Sequence, residues 1–343
     1  MNAGINLLRF LLAFNVTAFH LWNTVARGAG PVAVLAFFYL SGYVTTQTTQ
    51  ETYATVRSAG AFLQNRFLRI YPQYLVAVLF GFAGLALFPE AAEHINDYIG
   101  WPDGWRQWAA QFAIFGLYGS QVRVLPATWL LSTELWFYLL IGLMTGHSRR
   151  LTVALFLVSL PLGALCALRI LPFDFYGHPV GNAFVFAFGS LTYFYRGSVR
   201  IGRLTFAIAC FAYLGHTYAV PLLEDSDLDF ANISASLASF AAVIVYLLQN
   251  DLRGEWMVNL SNTLGKLSYP VFLNHWTVCV FMSGLFLQGR ASYDADNLFE
   301  GGVYFLSVFS AVLVCSALFY RFVDKPVERL RRTIRSRAQL RRP

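Results

Sequence analysis

The chain has 343 residues, 57% of them hydrophobic and only 13% charged, with a mean hydropathy of +0.52. Soluble domains carry about 25% charged residues, so a disordered chain, a small disulfide scaffold and an ordinary cytosolic enzyme are all excluded. The net charge of +7 does not point to nucleic acid. Much of it is gathered as Arg329, Arg331, Arg332, Arg335, Arg337, Arg341 and Arg342, directly after an apolar segment and without a nucleic-acid-binding motif. A juxtamembrane cluster of this kind suits anionic lipid headgroups.

Apolar runs long enough to cross roughly 30 Å of hydrocarbon recur along the chain. They predict an all-α, polytopic transmembrane bundle with spans at roughly 5–25, 31–48, 67–88, 126–146, 151–170, 179–195, 202–222, 230–249, 267–288 and 302–323. The first run is too long for a cleavable signal and contains Arg9, Asn15 and His20, so it is expected to remain as a span. The stretch 106–120 is apolar and aromatic but short, which suits an interfacial or re-entrant helix.

With ten alternating spans and an N-terminus inside, Arg57, Arg66, Arg69, Arg149, Arg150, Arg196, Arg200, Arg203, Arg253, Lys266, Arg321, Lys325 and the arginine-rich end all fall on the cytoplasmic side. Glu90, Glu93, Asp97, Asp103, Asp174, Glu224, Asp225, Asp227, Asp229, Asp294, Asp296 and Glu300 fall on the other. This is the positive-inside pattern. An eleventh span at 106–120 would break it by moving Arg149 and Arg150 outside. The expected organisation is therefore a membrane domain over 1–325 and a basic cytoplasmic tail over 326–343. The four cysteines lie inside apolar runs without the spacing of a disulfide framework or a zinc site, so no metal is expected.

Ionisable groups inside spans are costly and mark function by default. Arg9 and His20 are eleven positions apart, about 20° from a whole number of helical turns, so they share one face at about 16 Å separation along the axis. An anion held by Arg9 from the cytoplasm would thus present its far end towards His20. Arg66 and Arg69, spaced i, i+3, share a face at the start of the third span and can grip phosphate oxygens. Glu134 is a buried carboxylate whose partner is expected to be His20 or an arginine lining the same cavity. Asn274 and His275 lie mid-span behind Tyr269–Pro270. Ser41 and Gly42 permit close helix approach, and Ser41 and Asn274 read first as packing or helix–helix hydrogen-bonding groups.

Six segments in chain order resemble acyltransferase family 3, bacterial integral-membrane enzymes that O-acylate surface and exported glycans. They are Arg-x10-His in the first span, FFYLSGY at 37–43, RFLRIYPQY at 66–74, WLLSTELWFY at 129–138, LGKLSYPVFLNHW at 264–276 and DKPVERL at 324–330. The resemblance implies an acyl-CoA co-substrate, acetyl-CoA first, bound by Arg9, Arg66 and Arg69. Arg9 and His20 match the family's essential pair in the first span and Glu134 the acid of its tryptophan–glutamate motif, from which His20 and Glu134 are expected to be catalytic. The resemblance also implies a glycan or lipid-linked glycan acceptor reached from the far side of a bacterial inner membrane. Ser41, Tyr43, Trp129, Asn274 and His275 are supporting candidates, with Tyr43 or Asn274 as donors to the oxyanion. Partners would then be membrane lipid and a glycan-export machinery. Asn6 stands where the family carries an acid before the first-span arginine, Leu130 where a Ser or Thr follows the motif tryptophan, and Asp324 where Glu is common; no appended esterase-like domain is apparent. The rival readings are a glycan transporter or flippase with a His20–Glu134 proton relay, and a non-catalytic assembly subunit.

Overall fold

The structure, a computed structural model, describes residues 2–53, 58–120, 122–220, 230–291, 294–295 and 297–340, with the side chains of Asn23 and 337–340 excepted. Arg57, Glu224, Asp225, Asp227, Asp229, Asp296, Arg341 and Arg342 and the side chain of Arg337, used above for orientation and charge, lie outside what is described.

Every regular element among the described residues is helical: α1 (Ala3–Leu21), α2 (Asn23–Ala26), α3 (Ala29–Glu51), α4 (Ala59–Leu87), α5 (Pro89–Ile95), α6 (Gly104–Ala113), α7 (Trp129–Leu143), α8 (Arg149–Ala167), α9 (Pro179–Tyr195), α10 (Arg203–Leu214), α11 (Phe230–Gln249), α12 (Glu255–Phe286), α13 (Leu298–Phe319) and α14 (Lys325–Leu340), joined by short 3-10 and π turns. The chain is a polytopic helical membrane bundle. Helices α1, α3, α4, α8, α11 and the continuous run from α13 into α14 are long and apolar enough to cross a bilayer. The four other segments expected to span are helical as well, but depart from that pattern for local reasons. Helix α7 has 15 residues and α9 has 17, and α10 gives way after Leu214 to a π turn at Gly215–Ala219. Helix α12 runs for 32 residues and starts a dozen residues before the expected span, because its polar first third (EWMVNLSNTLGK) continues the helix beyond the apolar part. It also runs through Pro270 without a break.

Helix α6 fills the place of the expected surface helix but stops at Ala113, where Ile114 takes a positive φ of 67°. It is pinned to α4 by the Tyr71 hydroxyl, which donates to the Ala113 carbonyl at 2.6 Å. Trp105, Trp108 and Phe112 remain exposed on it, as an interfacial helix requires.

Helix α3 is buried on nearly all sides and α8 on few, so α3 is the central post and α8 a peripheral one. The axial contacts are α1 with α12 and α3, α3 with α9, α8 with α9, and α14 on α4. Close approach of α3 to α9 rests on two glycines. A methyl at Gly42 would meet the Phe186 carbonyl, and one at Gly189 the Tyr39 carbonyl. Small residues are how membrane helices bring backbones together when lipid is as apolar as leucine, and the expectation for Gly42 holds.

Candidate active site

A cavity of about 710 Å³ opens between α1, α3, α4, α7, α12 and α14, within the size range of ligand sites. Four of the elements that form it are tied by local sequence. On α4, the i, i+3 spacing turns both Arg66 and Arg69 into the cavity. Arg66 is only 7% exposed. Its guanidinium sits 5.2 Å from the Phe62 ring centre and 4.8 Å from that of Tyr138, while Nε and one terminal nitrogen have no hydrogen-bond partner among the described residues. Arg69 lies 5.8 Å from the Tyr269 ring centre. A buried guanidinium held by rings, with donors unspent, is poised for an anion.

On α1, Arg9 faces the same cavity. One turn earlier Asn6 donates to Asn262 of α12 at 2.8 Å, and Gly265 lies where a side chain would strike Asn6. Asn6 is thus a helix–helix tie, and Arg9 makes no ion pair with any described residue. On α7, Glu134 accepts hydrogen bonds from the hydroxyls of Tyr138, one turn later on its own helix, and of Ser41 on α3. Part of the arginine-rich end, expected to contact lipid headgroups, is drawn into the cavity wall. It continues as α14, packed on α4, and Glu328, Arg331, Arg332 and Arg335 line the cavity. Burial and the nearby Arg69 cation pull Arg331 down to about 9. Burial acts to raise the Glu328 carboxyl, but Arg331 and Arg335 outweigh it and hold that carboxyl below its usual range.

Phe37, Leu130, Leu131 and Phe272 give the cavity apolar lining as well. Phe37 and Phe272 meet at 6.3 Å between ring centres, and Phe272 lies at 6.3 Å from the ring of His275. His20 and His275 stack at 5.4 Å with planes 13° apart, and Trp276 closes on His20 at 4.6 Å. His275 is fully buried. Its Nδ1 bonds the Phe272 carbonyl at 2.8 Å and its Nε2 has no partner.

The residues singled out from sequence therefore fall into two clusters. Arg9, Arg66, Arg69, Ser41 and Glu134 share the cavity. His20 and His275 stack on one another and do not line it. The expected pairing of Glu134 with His20 is not formed: Glu134 lies on the arginine side, where Ser41 and Tyr138 supply donors, while His20 sits about three turns along α1 from Arg9. Three supporting candidates line neither cluster. Tyr43 is turned to α9, its ring 5.9 Å from that of Tyr193. Trp129 packs on Tyr176 at 4.8 Å. The Asn274 amide is spent on the Pro270 carbonyl at 2.9 Å, so neither proposed oxyanion donor reaches the cavity. Tyr138, Tyr269, Trp276 and the α14 arginines were missed. Tyr138 was legible as the i+4 neighbour of Glu134, whereas the inward face of α14 follows only from its docking on α4.

Comparison with known proteins gives the family. The acyltransferase domain of family 3 matches residues 2–321. No curated protein and no solved structure matches the chain. A family match over nearly the whole length, on a bundle of membrane-length helices, establishes that the chain belongs to acyltransferase family 3 and is a membrane acyltransferase.

Proposed function

We propose that the protein transfers an acyl group, acetyl first, from cytoplasmic acyl-CoA to a hydroxyl of a cell-surface or exported glycan, which arrives free or lipid-linked from the other side of a bacterial inner membrane. In this reading ten spans leave both termini in the cytoplasm. The observation that supports it is a chain of contacts: Phe37 and Phe272 line the arginine cavity, and Phe272 lies against His275, which stacks on His20. A CoA thioester has phosphates at one end and a small acyl group at the other. Arg9, Arg66 and Arg69 bind phosphate oxygens as fixed cations. Glu134 offsets their charge and orients the Ser41 and Tyr138 hydroxyls.

His20 acts as general base on the acceptor hydroxyl, with His275 stacked against it as a positioning residue. The acceptor oxygen forms an ester bond to the acyl carbon, the carbon–sulfur bond of the thioester breaks, and the proton taken by His20 returns to the departing CoA thiolate. The proton-relay transporter reading draws no support here, since Glu134 bonds Ser41 and Tyr138 while His20 packs on His275 and Trp276. Neither does an assembly subunit without catalytic groups.

The test is binding and slow hydrolysis of acetyl-CoA by the purified, detergent-solubilised chain. Saturable binding is expected, and Arg9→Ala is expected to weaken it by about tenfold or more, the scale of one lost charge-assisted hydrogen bond. If no short acyl-CoA binds the wild type, the reading fails.

A further inference from the structure

Helix α14 lies beyond residues 2–321 that match the family, yet it forms one wall of the cavity. Glu328, Arg331, Arg332 and Arg335 stand at i, i+3, i+4 and i+7 and so share a helix face, and all four line the cavity. Arg329 does not line it and is exposed.

Arg331 anchors this wall. One of its terminal nitrogens donates to Glu328 at 2.7 Å and the other to the Asn65 side chain on α4 at 3.2 Å. Asn65 answers by donating to the Arg331 carbonyl at 3.3 Å. Among the described residues the Arg331 Nε is buried without a partner, as are two nitrogens of Arg66 on the neighbouring position of α4. Glu328 meanwhile serves three arginines, bonding Arg332 at 3.5 Å and Arg335 closely as well as Arg331. One carboxylate among three guanidinium groups leaves the face cationic with donors unspent.

The exposure of these side chains is graded: 8% for Arg331, 37% for Arg335 and 75% for Arg332. They run from the cavity interior to its mouth, so a polyanion entering head-last passes its acyl end inward and leaves its phosphates beside α14.

We infer that Arg331 and Arg335 of α14 bind the phosphates at the adenosine end of the acyl-CoA, with Glu328 and Asn65 positioning them. The inference rests on the acyl-CoA reading above. Phosphate chemistry is shared with anionic lipid headgroups, and the experiment separates the two sources.

Acetyl-CoA binding is measured on the full chain in nanodiscs of phosphatidylcholine alone and of phosphatidylcholine with phosphatidylglycerol. Wild type, Arg335→Ala, Arg331→Gln and Arg329→Ala are compared after size-exclusion chromatography confirms folded protein. Arg335→Ala is half-exposed and keeps the test valid should Arg331→Gln fail to fold. The expected result is about tenfold weaker acetyl-CoA binding for Arg335→Ala in both nanodiscs, a smaller loss with acetyl-dephospho-CoA, and no change for Arg329→Ala. Wild-type binding matched by Arg335→Ala overturns the inference and leaves the acyl-CoA reading standing. So does an equal loss in Arg329→Ala, which would mark general charge, or a loss confined to stabilisation by phosphatidylglycerol, which would mark a lipid site. Failure of the wild type to bind acetyl-CoA overturns the acyl-CoA reading itself.

Discussion

His20→Ala is expected to lower acyl transfer by about 10²–10⁴-fold, the range for loss of a general acid–base group, while acetyl-CoA binding stays close to that of the wild type. The split follows from geometry. His20 stacks on His275 at 5.4 Å and lies tilted against Trp276 at 4.6 Å, and it is not among the residues lining the arginine cavity. Removing its imidazole leaves the phosphate-binding groups where they are. The loss should therefore fall on kcat, whereas Arg9→Ala should act chiefly through donor affinity. Transfer to a glycan acceptor, measured in proteoliposomes beside direct acetyl-CoA binding, reads both quantities. Full transfer by well-expressed His20→Ala would remove His20 from the chemistry. A parallel loss of donor binding would mean that the imidazole pair and the cavity act as one pocket.

The second large effect concerns folding. Gly189→Leu is expected to cost about 3 kcal/mol or more, above the ordinary range for overpacking. The first atom of a new side chain would meet the Tyr39 backbone carbonyl, and no rotamer change can move that group aside. The same helix pair has Gly42 set against the Phe186 carbonyl, so α3 and α9 would have to separate along their shared length. Separation would expose the Tyr39 hydroxyl, which is paired with Thr192 at 2.5 Å, and would shift Ser41 away from Glu134. Gly197→Leu is the matched control, because a side chain there meets nothing within 4 Å. Melting followed by size-exclusion chromatography in detergent should show a clear fall for Gly189→Leu and little change for Gly197→Leu. Equal melting of the two variants would mean that the α3–α9 approach does not limit stability.

Much of the architecture could be read from local pattern. Each apolar run expected to span became a helix, the weak surface segment became α6, and the shared face of Arg66 and Arg69 followed from i, i+3 spacing alone. Where boundaries moved, the cause was also local: α12 extends backward because a polar amphipathic third continues the same hydrogen-bonding ladder without adding to hydropathy. The family resemblance was legible for a related reason, since its six segments are short and each lies within one helix or its start.

Which groups meet was decided by tertiary structure. Periodicity tells which residues share a face of one helix, but not how that helix is rotated and slid against its neighbours. The seating of α1 on α12, with Asn6 bonded to Asn262 and Gly265 admitting the contact, brings His20 to His275 instead of to Glu134. The approach of α3 to α7 gives Glu134 the Ser41 hydroxyl, and the rotation of α3 turns Tyr43 to α9. The arginine-rich end read from sequence as a lipid anchor because a run of cations after an apolar span has that meaning on average. Only the docking of α14 against Asn65 turned Arg331 and Arg335 inward. Local spacing is a property of one helix, whereas the cavity belongs to six helices packed together.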